Sequence, residues 1–391
     1  MPLETQFNPV PGVPSKGIDV ARIEKELAAM WANASDGENG TRSGVIRACA
    51  LNLIVYTTPR DDRQSLEDLL SQVNEQHPGR TLILVADRET KEPRLEAYLS
   101  TRCRLLGATG KQICGEQITI EASGPIVQTA ATAVAPLLVP DVPVYLWWKD
   151  IPHYEDKLFD RLAQMADRIV INSAAFDHPY DDLLRLSQMI SDSSRPVRVS
   201  DLNWGELTSW RTLLASFWDV PDYRPLLDKI DRVEIKYRPP ADSPKKIATK
   251  ALLLASWFSS RLGWKVVGDR VRPIEGAIEC DFSSGDHDIT FSLIADMTTE
   301  LNDGKISLVA LSATKEAAEF SVALRAGATK LETEARFDAA HSVGRVLSYQ
   351  MRSEAERLSR ELAFLTHDAI YEESVAQAAQ LVGAIINYER N

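Results

Sequence analysis

VPVYLWWKD (142–150), DRIVINSAAFD (167–177) and DLNWGELTSWRTLLASFWD (201–219) follow one another along the chain. Each of the first two opens on a short apolar run bounded by polar residues, and the third opens on a capping signature. Val142–Asp219 therefore reads strand, helix, strand, helix, strand, helix. In the third piece Asn203 and Glu206 have the N-cap and N3 spacing of a capping box. Leu207, Trp210, Leu214 and Phe217 then recur at helical spacing, and Trp218 widens the same face. Five of the eight tryptophans lie in this stretch. Trp147 and Trp148 are adjacent on a strand and point to opposite faces, so both are buried only if helices cover both sides of the sheet.

Outward from this stretch the alternation continues. Val45–Tyr56 reads as a strand, Ser65–Gln76 as a helix and Thr81–Val85 as a second buried strand ending at Asp87. Strand, helix, strand implies a parallel pair with a right-handed crossover. Arg94–Leu105 and Gln112–Glu121 instead alternate polar and apolar residues around the tip GATG, as a hairpin inserted into the sheet or added to its edge. Gly124–Leu138 reads as an Ala-rich helix.

Beyond residue 228 the pattern changes. Val233, Ile235 and Tyr237 alternate with charged residues, and a helix follows at Lys245–Leu262. Six strand-like runs between Lys265 and Ala335, joined by Gly-containing turns, predict an antiparallel meander, and 344–388 reads as helical. The fold class is α/β. A mostly parallel sheet domain with an inserted hairpin (45–227) is followed by an α+β domain with an antiparallel meander and C-terminal helices (228–391). Residues 1–44 supply an arm, a helix and a Gly/Ser/Asn-rich loop.

The chain has 391 residues, 44% hydrophobic and 26% charged, with a net charge of −12. That balance is globular, and its sign argues against nucleic-acid or anionic-membrane binding while leaving room for a partner with a basic patch. The first residues lack a basic segment followed by an apolar one, and four cysteines make no disulfide scaffold, so a cytoplasmic location is expected.

Familiar chemistry is sparse. GATGK at 107–111 lacks the spacing, the following Ser/Thr and the strand-to-helix setting of a phosphate loop. The six histidines form neither an HExxH pair nor a Cys/His cluster, and GxSxG and GxGxxG are missing, so no metal, cofactor or catalytic group is assigned; this argues against an ordinary dehydrogenase, kinase or hydrolase and suits a binding or regulatory protein. Open α/β sheets bind ligands beyond the carboxyl ends of their strands. Asp87, Lys149, Asp150, Asn172, Ser173, Ser200 and Asp201 fall there, Lys149 suited to a phosphate and the carboxylates to sugar hydroxyls. The plainer reading is that they cap the helices that follow. Folding the hairpin about Ala108–Thr109 sets Leu106 against Lys111 and Cys103 against Cys114. Opposed Cβ atoms lie about 4.5–5.5 Å apart, close enough for a redox-sensitive pair, although two reduced thiols are the plainer expectation in cytosol.

The three Trp-rich pieces quoted first, with LLGATGKQICGEQITIEASG at 105–124, resemble the OpcA family of glucose-6-phosphate dehydrogenase assembly proteins of cyanobacteria and actinobacteria. The resemblance covers most of the chain, from about residue 45 to 385. It implies a non-catalytic partner that binds glucose-6-phosphate dehydrogenase, promotes its active oligomer and raises its substrate affinity, so feeding NADPH production through the oxidative pentose phosphate pathway. The family's link to redox control leaves Cys103 and Cys114 as the geometrically suited pair, since no cysteine follows Cys280. Trp204, Trp210 and Arg211 are the candidate partner-binding residues. The other reading is a sugar-phosphate enzyme or sensor using the strand-end crevice, which would lose its ligand on Lys149→Ala.

Overall fold

The computed structural model describes residues 8–10, 19–35, 45–106, 111–153, 155–241, 247–274, 276–299, 301–325, 327, 329–337, 341–349, 352–364 and 366–390. The hairpin tip 107–110, residues 36–44 of the Gly/Ser/Asn-rich loop, and 1–7 and 11–18 of the arm lie outside them. The chain divides into two compact units: residues 1–171, 197–200 and 353–366, and residues 172–196, 201–352 and 367–391. It passes between them more than once, where the sequence reading draws a single boundary at 227. Periodicity locates elements but not the neighbours they pack on. Helix Glu354–Leu362 packs on helix Arg63–Gln76 in the first unit, and helix Ala369–Arg390 on helix Thr249–Leu262 in the second.

The first unit is built on strands β1 (Asn8–Val10), β2 (Val45–Arg47), β3 (Asn52–Thr57), β4 (Arg80–Asp87), β5 (Arg94–Leu106), β6 (Lys111–Ser123), β7 (Val144–Trp148), β8 (Arg168–Ile171) and β9 (Val199–Asp201). Their order is β1-β5-β6-β4-β3-β7-β8-β9, with β2 also on β6. From β6 to β8 neighbouring strands run parallel, and β5 turns back antiparallel on β6. This is the expected mostly parallel sheet with its hairpin at one side. The strands are near-continuous apolar runs because both faces are covered: Ile54, Leu82, Leu84, Ile120 and Leu146 are fully buried or nearly so, and so are both Trp147 and Trp148.

Two sequence expectations need correction here. Val45–Tyr56 is two strands, not one, broken at 48–51. Gly124–Leu138 is not one helix but a short α-helical turn, Ala131–Val134, between two 3-10 turns. Pro125 and Pro136 each sit in the first turn of a 3-10 segment, where a missing N–H costs nothing but continuation of a longer helix is interrupted.

The second unit holds strands β10 (Arg232–Tyr237), β11 (Lys265–Ile274), β12 (Ala277–Ser283), β13 (Asp288–Ala295), β14 (Ile306–Ala313), β15 (Ala318–Arg325), β16 (Lys330–Phe337) and β17 (His341–Ser348). Their order is β11-β12-β13-β10-β14-β15-β16-β17. The sheet is antiparallel except that β10 inserts beside β13 in parallel. Strand β17 replaces the first part of the expected terminal helix. As the outermost strand it carries exposed Val346 and Leu347, so it lacks the one-sided alternation that marks a strand in sequence. Val233, Ile235, Phe291, Leu311, Phe320 and Val322 form the buried face.

Candidate functional site

The order β6-β4-β3-β7-β8 reads 3-2-1-4-5 along the chain, the arrangement that places a ligand crevice where β3 and β7 diverge. In dinucleotide-binding proteins the loop after the first strand carries glycines and offers a helix N-terminus to pyrophosphate. Residues 58–62 here are Thr-Pro-Arg-Asp-Asp. Asp62 caps the helix Arg63–Gln76, accepting from the backbone N–H groups of Gln64 and Ser65. Asp61 accepts from the Thr57 hydroxyl at 2.7 Å, the Thr58 N–H at 3.0 Å and the Lys149 ammonium at 2.9 Å. Partial burial would push the Asp61 carboxyl up, but these three donors outweigh it and hold it below the usual range. Two carboxylates stand where a pyrophosphate would need its donors. The residues do not fit a dinucleotide.

Beside this loop lies a cavity of about 680 Å³, bounded by the loop after β3, the start of helix Arg63–Gln76, the ends of β4 and β6, and the start of β5. Register explains its chemistry. Val85 pairs with Glu121, and Glu121 pairs with Glu96, so two glutamates stand directly opposite on one face. Such a like-charge pair is unfavourable by itself. Arg63 reaches Glu121 at 2.9 Å, Arg94 pairs with Glu96, and the Tyr98 hydroxyl donates to Glu96 at 2.7 Å. Arg94, with Tyr98, lowers the Glu96 carboxyl. Glu67, also on the wall, is held by the buried Arg102. Asp87 folds the β4–β5 loop, accepting from Thr90 and Glu89; the Thr90 hydroxyl does most to lower its carboxyl.

Of the residues expected at the strand ends, Asp87 lines the cavity, and Lys149 reaches its wall through Asp61. Asp150 turns onto the N–H of Ile151. In the second unit Asn172 accepts from the Ala174 N–H, and Ser173 donates its N–H and hydroxyl to Asp201 at 2.9 and 2.6 Å. Asp201 is 1% exposed, and burial raises its carboxyl despite these bonds. Ser200 accepts from Arg168 at 2.5 Å within the first unit. Asn172 and Asp201 are thus helix and turn caps.

Asp201, not Asn203, is the N-cap of helix Leu202–Glu206, accepting from the Asn203 N–H. Glu206, freed from capping, is bound by Lys250 and by Lys305 at 2.6 Å. Burial would push this carboxyl up; the two ammonium charges prevail and hold it at about 2. Trp204 and Trp210, proposed from sequence as partner-binding rings, are 4% and 2% exposed and belong to the core of the second unit. The Trp204 indole N–H donates to Asp368 at 3.0 Å, and Arg211 stacks on its ring with the guanidinium carbon 3.5 Å from the centroid. Cys103 and Cys114 pair in the predicted register, exposed and buried respectively, and are joined as a disulfide.

Asp61, Glu96 and Glu121 escaped the sequence reading. The two glutamates were reachable: the same fold-back that opposes Cys103 to Cys114 opposes Glu96 to Glu121. Among the described residues no group of three or more His, Cys, Asp or Glu is arranged to hold a metal ion. Likewise, no helix among them is long and apolar enough to cross a membrane.

Residues 71–188 match the family described as glucose-6-phosphate dehydrogenase subunit N-terminal domain, and residues 197–375 match its C-terminal domain. An OxPP cycle protein OpcA of Synechocystis sp. is 26% identical over 93% of this chain and 74% of its own length. The corresponding protein of Nostoc punctiforme is 28% identical over 73% of this chain and 62% of its own. Among solved structures, an oxidoreductase domain protein from Kribbella flavida aligns over 88% of this chain and 98% of that one, at 10% identity and a TM-score of 0.47.

Proposed function

The chain belongs to the OpcA family of glucose-6-phosphate dehydrogenase subunits, and from that premise we propose that it is a non-catalytic assembly factor and allosteric activator of the dehydrogenase. The observation that carries this reading is the match of both family domains, in order, along one chain. A second support is chemical. The loop that would receive a dinucleotide is closed by the Asp61–Lys149 pair, and the charged residues lining the adjoining cavity are six carboxylates against two arginines.

An activator of this kind works by binding the active conformation of the dehydrogenase more tightly than the inactive one. The size of the effect equals the difference in its affinity for the two. Substrate that favours the active form must then tighten the complex by the same factor. A pentose-phosphate role follows from the partner, which supplies the hydride transfer, while this chain supplies binding free energy.

The sugar-phosphate reading is disfavoured by the same cavity. A phosphate dianion entering it meets Asp61, Asp87, Glu92, Glu96 and Glu121, while Arg63 and Arg94 are already engaged by two of them. Like charges in partly buried surroundings repel by several kcal/mol, roughly, at short range.

The test is a glucose-6-phosphate titration of the cognate dehydrogenase with and without this chain, together with size-exclusion chromatography of the mixture. Co-elution, a lowered half-saturation and a lower Kd of the complex in saturating substrate are expected. Separate elution with an unchanged titration curve would refute the proposal.

A further inference from the structure

We propose that the cavity beside β4 and β6 is a receptor for arginine or lysine side chains carried by a segment of the partner protein. This rests on the assembly reading and deepens it by naming the chemistry of contact. Its volume, about 680 Å³, is ample for long side chains. Its lining has two parts. Leu66, Ile83 and Val85 give an aliphatic floor, against which a methylene stem can lie. The walls and rim carry Asp61, Glu67, Asp87, Glu92, Glu96 and Glu121 against Arg63 and Arg94.

The charge balance decides the occupant. Arg63 and Arg94 are matched to Glu121 and Glu96, and Lys149 and Arg102 reach Asp61 and Glu67 from outside the lining. Asp87 and Glu92 are left without an ion-pair partner among the described residues. An incoming guanidinium or ammonium finds two carboxylates still to be matched, above a surface that binds its stem. An anion finds repulsion, and a wholly apolar side chain would bury carboxylates without a partner. A divalent metal ion is disfavoured because no three of these groups are arranged to ligate one. The chain's net charge of −12 also draws a basic partner at long range.

The experiment uses the full chain and two ligands: the peptide acetyl-(Gly-Arg)₃-amide, with its citrulline counterpart as the uncharged control, and the cognate dehydrogenase. The variant is Asp87→Asn with Glu92→Lys. Asn keeps the oxygen that folds the β4–β5 loop, and Glu92 is exposed, so the fold is retained; circular dichroism checks this. Wild-type chain is expected to bind the arginine peptide and not the citrulline one, in titration calorimetry at low salt. The variant should weaken both the peptide and the dehydrogenase by about tenfold or more. If the dehydrogenase complex forms and the variant leaves it unchanged, the cavity inference is overturned while the assembly reading stands. Failure of the folded wild-type chain to prefer arginine over citrulline also overturns it. If the peptide responds as expected and wild-type chain forms no complex with the dehydrogenase, the basic-segment site stands and the choice of partner falls.

Discussion

Replacing Glu206 by Gln removes one negative charge from between two ammonium groups. Side-chain exposure is 10% for Glu206, 8% for Lys250 and 20% for Lys305, so water can do little to replace the lost charge. The carboxyl falls from 4.5 to about 2 on folding. At 1.36 kcal/mol per unit this is about 3 kcal/mol of stability at neutral pH. The figure agrees with the roughly 3–5 kcal/mol lost when a buried ion pair is stripped of one member. Because the folded value is depressed, the contribution is fully present above 4.5 and is lost as pH falls towards 2. At pH 3 somewhat under half of it, about 1.4 kcal/mol, should remain.

The assay is urea unfolding of wild-type chain and Glu206→Gln, followed by tryptophan fluorescence at pH 7 and pH 3. With a slope of about 2 kcal/mol per molar, the midpoint should fall by about 1.5 M at pH 7, and by roughly half that at pH 3. Other carboxylates titrate alike in both proteins and cancel in the difference. Glu206→Gln combined with Lys250→Met should recover part of the loss, because the double change leaves one fewer unmatched ammonium. A midpoint difference below about 0.3 M at pH 7, or one that does not shrink with acid, would refute the claim that the two lysines hold this carboxylate.

Three further outcomes follow from other contacts. Arg80 is 3% exposed and binds Glu116, Glu24 and the carbonyl of Leu137; Arg80→Met should cost about 3–5 kcal/mol and hasten proteolytic cleavage near helix Val20–Ser35, and an unaltered cleavage rate would count against it. Trp148 is 1% exposed and stacks on Tyr56 at a centroid distance of 3.6 Å; Trp148→Ala should destabilise the first unit by about 3–5 kcal/mol, read as a lowered denaturation midpoint. Alkylation of denatured, unreduced chain prepared under oxidising conditions should label two thiols, Cys49 and Cys280, and four after reduction; four before reduction would exclude the Cys103–Cys114 bond.

How much of this was legible in the sequence varies with the range of the interaction that decides it. The hairpin register follows from local geometry alone, so Leu106 meets Lys111 and Cys103 meets Cys114 as the fold-back requires. The strand read over Arg94–Leu105 is found to within one residue, as Arg94–Leu106, because its polar and apolar residues alternate up to the tip. The capping of the helix after β9 was misread because Asp201, Asn203 and Glu206 all carry side chains that can cap. What separates them is distant in sequence: Lys250 and Lys305 draw Glu206 away, and Ser173 fixes Asp201. The exposed edge strand β17 gave no periodic signal, and the insertion of β10 between β13 and β14 is a matter of strand order that no local pattern encodes. Tryptophans were read as possible anchors because large rings serve cores and interfaces alike. The burial of Trp204 and Trp210 is a tertiary fact.

The carboxylates around the cavity connect these observations to the proposed role. A sheet with the 3-2-1-4-5 order has a ready crevice at its strand ends, and a protein retaining it for an anionic ligand would keep donors there. Here Asp62 caps the helix N-terminus, and Asp61 beside it consumes Lys149, the one cation the sequence reading reserved for a phosphate. Next to it, Glu96 and Glu121 are set opposite each other, at a cost that Arg63 and Arg94 offset. Asp61, Glu67 and Asp87 have folding roles of their own, but folding alone gives no reason to set Glu96 against Glu121 at the cavity wall. Cross-strand hydrophobic or opposite-charge pairs would stabilise the sheet better. A basic partner segment supplies the reason, because its arrival relieves the repulsion that the free chain bears. The same relief can discriminate between dehydrogenase conformations. If only the active form presents the basic segment, the electrostatic gain is made in that form alone, and that difference is what an activator needs. Raising ionic strength from 0.05 to 0.5 M should then weaken activation and complex formation together, measured as half-saturation and Kd in parallel. Activation that survives high salt would separate the cavity from the allosteric effect.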